Sequence, residues 1–129
     1  MKTAFLLLLL TNLYPIELKT VHDGDTITAT VIMDFDVAIY SKPIRFHGFD
    51  AWELSKQRRT VNVTDEEIVK GKLAKEYLIK LIGTSKLYLE PKESGYDKYG
   101  RILGVVYVLK DNKLESLSEL MIKAGHQRK

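Results

Sequence analysis

Polar and apolar residues alternate between residues 16 and 33, which is the pattern of a strand with one buried face. The clearest run is Thr26-Ile27-Thr28-Ala29-Thr30-Val31. It follows Asp23-Gly24-Asp25, a turn sequence in which Asp and Gly tolerate left-handed backbone. Residues 16–33 are therefore predicted to form two strands that are joined by this turn.

A second alternating region, residues 38–49, predicts a further strand. Ile44 and Phe46 alternate there with Arg45 and His47. Successive side chains of a strand point to opposite faces. We therefore expect Arg45 to point away from the apolar side of this strand.

Helical spacing replaces alternation after Thr64. The segment Thr64-Asp65-Glu66-Glu67 matches a capping box, and its acidic residues complement the dipole of the first helical turn. Apolar residues then recur on one helix face at Ala74, Tyr77, Leu78, Leu81 and Ile82. Gly83 is a suitable stop, so one long helix is predicted between Thr64 and Gly83.

The last third of the chain predicts two more strands and a shorter helix. The strands are expected at residues 86–90 and 101–109, the second with an apolar run typical of a buried strand. Ser116 and Glu119 form a cap for a helix over residues 116–124. Short strands interrupted by one longer helix indicate an α+β domain, in the form of a small, strongly bent barrel with helices attached.

The N-terminus has the character of a secretory signal peptide. Lys2 precedes a short apolar run that is too short to span a bilayer, which takes about 20 apolar residues. We expect a signal peptide at residues 1–14 and one domain at residues 15–129. An uncleaved anchor or a buried N-terminal strand is the alternative. The expected protein is secreted or periplasmic and has no stable membrane span.

Composition adds little to this picture. The chain has 129 residues, enough to bury one core without metal or disulfide staples. It has no cysteine, so it has no disulfide framework. Its net charge of +3 favours encounters with polyanions but is too mild to establish nucleic-acid binding.

The candidate chemistry is concentrated in three segments, His22-Asp23-Gly24-Asp25-Thr26, Arg45-Phe46-His47-Gly48-Phe49-Asp50-Ala51-Trp52-Glu53 and Tyr96-Asp97-Lys98-Tyr99-Gly100-Arg101. Carboxylate oxygens are natural ligands of calcium or magnesium, and a guanidinium matches phosphate oxygens bidentately. This combination suggests metal-assisted cleavage of a phosphodiester. Asp25 and Asp50 are the best metal-ligand candidates, and the sequence does not choose between the two ions.

In their order and separations, these segments resemble the staphylococcal nuclease (thermonuclease) family. Its members show Asp-Gly-Asp-Thr, an Arg-x4-Asp-x2-Glu run and Asp-Lys-Tyr-Gly-Arg. The resemblance extends from about Ile16 to Gly125, nearly the whole chain. It implies a five-stranded OB-fold barrel with one internal helix and a C-terminal helix. Pattern alone does not separate this barrel from other α+β sheets.

The resemblance also implies a metal site and a catalytic carboxylate. Asp25, Asp50 and the backbone carbonyl of Ala51 would bind the ion, which is calcium by family precedent, although magnesium is chemically suitable. Glu53 would act as the general base on the attacking water or would order water around the metal. Asp23 is expected near the metal without binding it directly.

Four further residues match positions that contact phosphate or nucleotide in the family. Arg45 and Arg101 would contact the scissile phosphate and stabilise charge in the transition state. Lys98 and Tyr99 would lie near the terminal phosphate of a bound nucleotide. Tyr99 is equally suited to stacking on a base and to packing.

One departure from the family pattern lies inside the candidate site. Ala51-Trp52 replaces the Thr-Pro that family members often have, which removes a hydroxyl and adds a large ring. This ring could stack on a base or pack on the barrel. His22 and His47 lie beside the carboxylates in sequence, but we expect both to be structural. Asn62-Val63-Thr64 fits a glycosylation sequon.

The leading hypothesis is a monomeric, metal-dependent endonuclease that hydrolyses phosphodiester bonds. It would act on DNA and RNA, preferentially single-stranded, with low sequence specificity, and would leave 3′-phosphate ends. The alternative is a non-catalytic nucleic-acid- or protein-binding module on the same fold. A third possibility is a phosphodiesterase for small nucleotides.

Overall fold

A computed structural model describes residues 12–33, 37–54, 63–97 and 99–128. Within these ranges the chain forms six strands and two helices. In chain order they are β1 (Tyr14–Asp23), β2 (Thr26–Ile32), β3 (Ala38–Phe46), α1 (Asp65–Ile82), β4 (Leu87–Tyr96), β5 (Ile102–Lys110), β6 (Lys113–Ser116) and α2 (Leu117–Lys123).

The strands form one sheet in the order β3-β2-β1-β4-β5-β6, and neighbours in this order are antiparallel. A parallel pairing of β3 with β5, in which Ile44 lies opposite Ile102, closes the first five strands into a barrel. The predicted α+β fold, an OB-fold barrel with an internal and a C-terminal helix, is therefore confirmed. The short strand β6 was not predicted, and it forms a hairpin with β5.

The alternating residues of the sequence build the barrel core. Ile27 and Ala29 of β2 and Ile44 of β3 are fully buried, as are Val106 and Val108 of β5. The helices cover this core with a second set of buried side chains: Ala74, Leu78 and Ile82 from α1, and Leu117 and Met121 from α2. Arg45 lies between buried Ile44 and Phe46 in sequence and remains partly exposed, as the alternation predicted.

Both helices begin and end where their caps predicted. The Thr64 hydroxyl accepts a hydrogen bond from the Glu67 N–H at 3.2 Å, and the Ser116 hydroxyl accepts one from the Glu119 N–H at the same distance. Gly83 follows α1 with φ of 50°, and its N–H donates to the Ile79 carbonyl. These local bonds explain why capping patterns placed the helices accurately.

Two strand ends differ from the predictions. Strand β4 was expected to stop at residue 90. It continues to Tyr96 through an irregularity between Pro91 and Tyr96, with Pro91 opposite Gly104. Strand β3 ends at Phe46 rather than at residue 49, and Gly48 follows it with φ of 81°.

Several predictions fall partly on residues outside the described ranges. Residues 1–11 of the predicted signal peptide are among them, so the division at residue 14 stays a prediction, and β1 begins at Tyr14. Lys98 and Asn62 also lie outside the described residues. No helix in the described ranges is long and apolar enough to cross a membrane.

Candidate active site

A cavity of about 440 Å³ is formed by the β1–β2 turn, the segment after β3 and the β4–β5 connection. It collects seven of the eight predicted site residues: Asp25, Arg45, Asp50, Ala51, Glu53, Tyr99 and Arg101. Asp23 and Arg128 complete the lining. The eighth predicted residue, Lys98, lies outside the described ranges. Residues as far apart in the sequence as Asp23 and Arg128 thus meet at one surface.

Two glycines bring the loop after β3 close to its neighbours. A Cβ atom on Gly24 would lie 2.8 Å from the Cβ atom of Ala51, so the β1–β2 turn contacts this loop directly. A Cβ atom on Gly71 of α1 would lie 2.3 Å from the backbone oxygen of Glu53. The loop that carries Asp50, Ala51 and Glu53 is therefore packed between a turn and a helix, and neither glycine has room for a side chain.

Asp25 is the most buried carboxylate of the cavity, with 8% of the residue exposed. One carboxylate oxygen accepts a hydrogen bond from the Thr26 hydroxyl at 2.8 Å. The other accepts one from the Ala51 N–H, also at 2.8 Å. The Asp23 carboxylate accepts a hydrogen bond from the Asp25 N–H at 3.0 Å. Asp25 therefore holds the loop after β3 against the β1–β2 turn.

Burial, together with a hydrogen bond and charge repulsion from the neighbouring Asp23 carboxylate, raises the pKa of Asp25 to about 6. The positive charge of Arg45 and the Ala51 N–H act in the opposite direction. A cation placed against this carboxylate would favour the ionised form in the same way as Arg45 does.

Arg45 connects both candidate metal aspartates to the end of β3. Its Nη1 donates to the carbonyl oxygens of Phe46 and Phe49, at 2.9 and 2.6 Å. The same nitrogen lies 3.3 Å from Asp25 Oδ2, while Nη2 forms an ion pair with Asp50 Oδ1. With 18% of its side chain exposed, Arg45 is held by four acceptors at the floor of the cavity.

Arg101 is positioned by a tight turn between β4 and β5. The Asp97 carboxylate accepts hydrogen bonds from the N–H groups of Tyr99 and Arg101 and from Arg101 Nε, each at 2.9 Å. Gly100 completes the turn with φ of 77°. The Arg101 guanidinium carbon lies 5.2 Å from the ring centroid of Tyr99, whose residue is 68% exposed. Both side chains are thus presented to the cavity by one local hydrogen-bond network.

This network also perturbs the Asp97 carboxylate. Desolvation opposes the change, but hydrogen bonds from the N–H groups of Arg101 and Tyr99, together with the side-chain hydrogen bond and charge of Arg101, lower the pKa of Asp97. Asp97 is therefore ionised at neutral pH and holds Arg101 through a charge-assisted hydrogen bond.

A second depression of about 310 Å³ shares Arg45, Asp50 and Arg101 with the first. Asp97 and Gln127 belong to its lining. Both arginines therefore lie between two adjoining surfaces. An extended polyanion that crossed from one depression to the other would pass over both guanidinium groups.

The segment after α2 adds contacts that sequence reasoning missed. The Arg128 N–H donates to the Asp50 carbonyl at 2.8 Å, and the Gln127 side-chain oxygen accepts from the Asp50 N–H at 3.3 Å. Arg128 Nη2 lies 3.7 Å from Glu67 Oε2. The Gln127 contact joins residues 77 positions apart, so no local pattern could have revealed it. Only the charge of Arg128 was visible in the sequence.

The donor set of the cavity suits a hard cation in its chemistry. Asp23, Asp25, Asp50 and Glu53 offer oxygen ligands only, as calcium and magnesium prefer. Among the described residues, no three Asp, Glu, His or Cys side chains converge into a metal cluster. The Arg45 guanidinium lies against both Asp25 and Asp50. A cation bound between these two carboxylates would compete with Arg45 for Asp50, which is 67% exposed at its side chain.

Comparison with known protein families gives one match. The family model described as staphylococcal nuclease homologue matches residues 43–128, from within β3 to the segment after α2. The matched region contains Arg45, Asp50, Glu53 and Arg101, and the structure joins it to Asp25 through the Ala51 N–H. A search of curated proteins gives no match. The match covers most of the chain and agrees with its closed barrel, and we conclude that the chain belongs to the staphylococcal nuclease homologue family.

Proposed function

We propose that this protein is a metal-dependent endonuclease that hydrolyses phosphodiester bonds in DNA and RNA with low sequence specificity. The observation that carries the proposal is the meeting of two guanidinium groups, Arg45 and Arg101, with Asp25, Asp50 and Glu53 in one cavity. Guanidinium groups bind phosphate, and carboxylates can bind a cation or accept a proton from water. Membership of the nuclease family supports the same reaction class.

Arg45 and Arg101 are assigned to the scissile phosphate. Charge builds up on the non-bridging oxygens as water attacks the phosphorus atom, and fixed guanidinium groups stabilise this charge without reorganisation. Arg128 also lines this cavity, and its guanidinium is paired with Glu67. The arrangement favours recognition of the phosphate backbone, which explains the expected tolerance for sequence and for both kinds of sugar.

Glu53 is assigned as the general base. Its carboxylate would take a proton from the attacking water as the new oxygen–phosphorus bond forms. The bond from phosphorus to the 5′ oxygen then breaks, which leaves a 3′-phosphate on one product and a 5′-hydroxyl on the other. The packing of Gly71 against the Glu53 backbone fixes the position of this residue relative to the cavity.

Asp25, Asp50 and the Ala51 carbonyl are the residues that would hold the metal, with calcium as the expected ion and magnesium as the other candidate. When bound, such an ion supplies positive charge beside the phosphate and lowers the pKa of a coordinated water. The hydrogen bond from the Ala51 N–H to Asp25 holds the two parts of this donor set together.

The remaining parts of the proposal concern partners and location. Tyr99 is 68% exposed and can stack on a base, and together with Lys98 it is assigned to the nucleotide. Unpaired bases are available for such stacking, so single-stranded substrates should be preferred. We further propose a monomer that is secreted or periplasmic, in keeping with the signal-like N-terminus.

The test is cleavage of single-stranded and duplex DNA and RNA by the purified chain, with calcium, with magnesium and with a chelator. We expect chelator-sensitive cleavage and products that carry 3′-phosphate. Glu53→Gln should abolish cleavage and keep binding. A folded protein that binds nucleic acid but never cleaves it would instead be a binding module, whereas a preference for mononucleotide esters would indicate a small-nucleotide phosphodiesterase.

A further inference from the structure

A cavity of about 490 Å³ lies beside the candidate active site and is not accounted for by the proposed reaction. Trp52, Leu73 and His126 line it together with Lys70, Gly125 and Gln127. Its volume falls within the usual range of small-molecule sites, about 300 to 1,000 Å³. The cavity is therefore large enough to hold part of a ligand.

This cavity continues the surface of the active site. Trp52 stands between Ala51 and Glu53, which both line the active-site cavity. Gln127 lines both this cavity and the second depression, which in turn shares Arg45, Asp50 and Arg101 with the active-site cavity. A nucleic-acid strand whose phosphate lies at the active site can therefore reach this second cavity with a neighbouring nucleotide.

The walls of the cavity offer flat and apolar surface. The Trp52 ring has the Lys70 ammonium 4.5 Å from its centroid, a cation–π contact. Leu73, on α1, leaves 53% of its surface exposed. A planar heterocycle is the ligand group that best matches an indole and an isobutyl side chain.

His126 adds a second ring. Its centroid lies 4.9 Å from that of Tyr77, with 40° between the ring planes. Burial lowers the pKa of His126. The imidazole is therefore neutral at pH 7 and offers a stacking surface rather than a positive charge.

Positive charge lies close to these rings. Lys70 lines the cavity, and Arg128 lines the adjoining part of the active site. A ligand that pairs a planar ring with a negative group satisfies both kinds of surface. A nucleotide has this combination, since its base can stack while its phosphate contacts a cation.

We propose that this cavity is a second nucleotide subsite, which binds the base of the nucleotide next to the scissile phosphate against Trp52 and His126 and binds its phosphate through Lys70. The proposal rests on the proposed function, because it takes its ligand from the same strand. Stacking does not distinguish strongly among bases, so the subsite favours longer single strands without adding sequence specificity.

Trp52 provides a direct probe, because it is the only tryptophan of the chain. We would titrate the Glu53→Gln variant with thymidine mono-, di- and tetranucleotides in the presence of calcium and follow tryptophan fluorescence. In parallel, the anisotropy of a labelled tetranucleotide would report binding anywhere on the protein. We expect the tetranucleotide to quench the fluorescence at lower concentration than the mononucleotide does.

A charge placed in the cavity tests its location. Leu73→Glu introduces a carboxylate into the lining, whereas Val69→Glu introduces the same group on the same helix at a residue that is 56% exposed and does not line the cavity. In the Glu53→Gln background, Leu73→Glu should weaken tetranucleotide binding about tenfold or more, in line with the loss of a stacked base. Val69→Glu should weaken it much less.

Several outcomes would overturn the subsite. The first is equal tetranucleotide affinity of the Leu73→Glu and Val69→Glu variants. The second is tetranucleotide binding that is detected by anisotropy without any change in Trp52 fluorescence. In both cases the nuclease could still cleave, so the proposed function would stand. The absence of both binding and cleavage would reject the two proposals together. A dimer that Leu73→Glu dissociates without altering nucleotide affinity would assign the cavity to a second copy of the chain instead.

Discussion

The two arginines of the cavity are held in different ways. Arg45 contacts two backbone carbonyls and two carboxylates, which belong to the end of β3, to the segment after β3 and to the β1–β2 turn. Arg101 is held by Asp97, four residues earlier in the same turn. Within the described residues, its side-chain hydrogen bond uses Nε. Arg45 therefore joins parts of the fold, whereas Arg101 is fixed by its own turn.

The carboxylates that pair with the two arginines, Asp25 and Asp97, have pKa values shifted in opposite directions. Burial raises the pKa of Asp25 to about 6, and Arg45 opposes this effect. Asp97, in contrast, is surrounded by N–H donors that lower its pKa. A buried carboxylate depends on a distant cation for its ionisation, while a turn carboxylate is stabilised by local backbone. The comparison teaches that residues with the same proposed role can contribute very differently to stability.

Arg45→Ala should produce the largest effect, because it removes both a phosphate ligand and a connection between elements. It leaves Asp25 buried beside Asp23 without its cation. We expect the free energy of unfolding to fall by about 3 kcal/mol, as for other buried ion pairs that lose one partner, and cleavage to disappear. Denaturant unfolding at neutral pH and a cleavage assay measure the two effects.

Arg45→Lys is the matched control for that change. It keeps the charge but loses the planar fork that reaches several acceptors. Its stability should lie between those of the wild type and Arg45→Ala. If Arg45→Ala unfolds at the same denaturant concentration as the wild type, Arg45 does not connect the elements and the contrast with Arg101 fails.

Arg101→Gln should reduce activity without a comparable loss of stability. Removal of a preorganised donor to the transition state costs on the order of 10²–10³ in rate. The ion pair of Arg101 is local and partly exposed, so its loss should change the free energy of unfolding by less than about 1 kcal/mol. Single-turnover cleavage and denaturant unfolding would be compared on the same preparation. A large loss of stability would show that Arg101 also braces the fold.

Asp97→Asn should have a smaller effect on cleavage, because Asp97 acts only by positioning Arg101. The amide keeps an acceptor oxygen for the backbone but loses the charge that orients the guanidinium. We expect about a tenfold loss in rate, as for other residues that orient a ligand-binding group. Asp97→Glu keeps the charge but should not retain the wild-type rate, because the longer side chain does not fit the same turn.

The pH dependence of stability supplies a second readout for Asp97→Asn. The folded state lowers the pKa of Asp97 below its ordinary value of 3.8, so the ionised carboxylate stabilises the protein above that pH. This contribution is lost as the pH falls through the lowered pKa. The stability difference between wild type and Asp97→Asn should therefore be complete at neutral pH and shrink below about pH 3.8. If the stability difference between the two proteins stayed constant down to pH 3, the hydrogen bonds of the Asp97 carboxylate would not be its source.

The sequence was sufficient for features that depend on local chemistry. Alternation located β2 and β3, and the hydroxyls of Thr64 and Ser116 located the helix starts through bonds to N–H groups three residues later. The candidate site residues were found by residue type and by family resemblance. Their common cavity requires the barrel to close through the β3–β5 pairing, which no local pattern specifies.

Features that depend on distant contacts were missed. The fourth strand was predicted to end at residue 90, yet β4 continues to Tyr96 because β5 pairs with it beyond that residue. The Glu53 backbone lies against Gly71 of α1, a contact that only the packed structure reveals. The contacts of Gln127 and Arg128 with Asp50 likewise join the two ends of the matched region. Periodicity and caps contain no information about such neighbours.

Gln127→Ala should have the smallest effect. It changes only the surroundings of Asp50, the ion-pair partner of Arg45, and leaves the turn that holds Arg101 unchanged. Gln127 accepts a hydrogen bond from the Asp50 N–H at 3.3 Å, while the neighbouring Arg128 N–H holds the Asp50 carbonyl regardless of the side chain at position 127. Loss of this one partly exposed bond should lower the free energy of unfolding by about 0.5–1 kcal/mol and weaken metal-dependent activity only slightly. Calcium titrations of cleavage and denaturant unfolding measure both quantities. Arg45 contacts the side chain of Asp50, whereas Gln127 contacts its backbone. If Gln127→Ala lowered the free energy of unfolding or the activity as much as Arg45→Ala does, the segment after α2 rather than Arg45 would be the main support of Asp50.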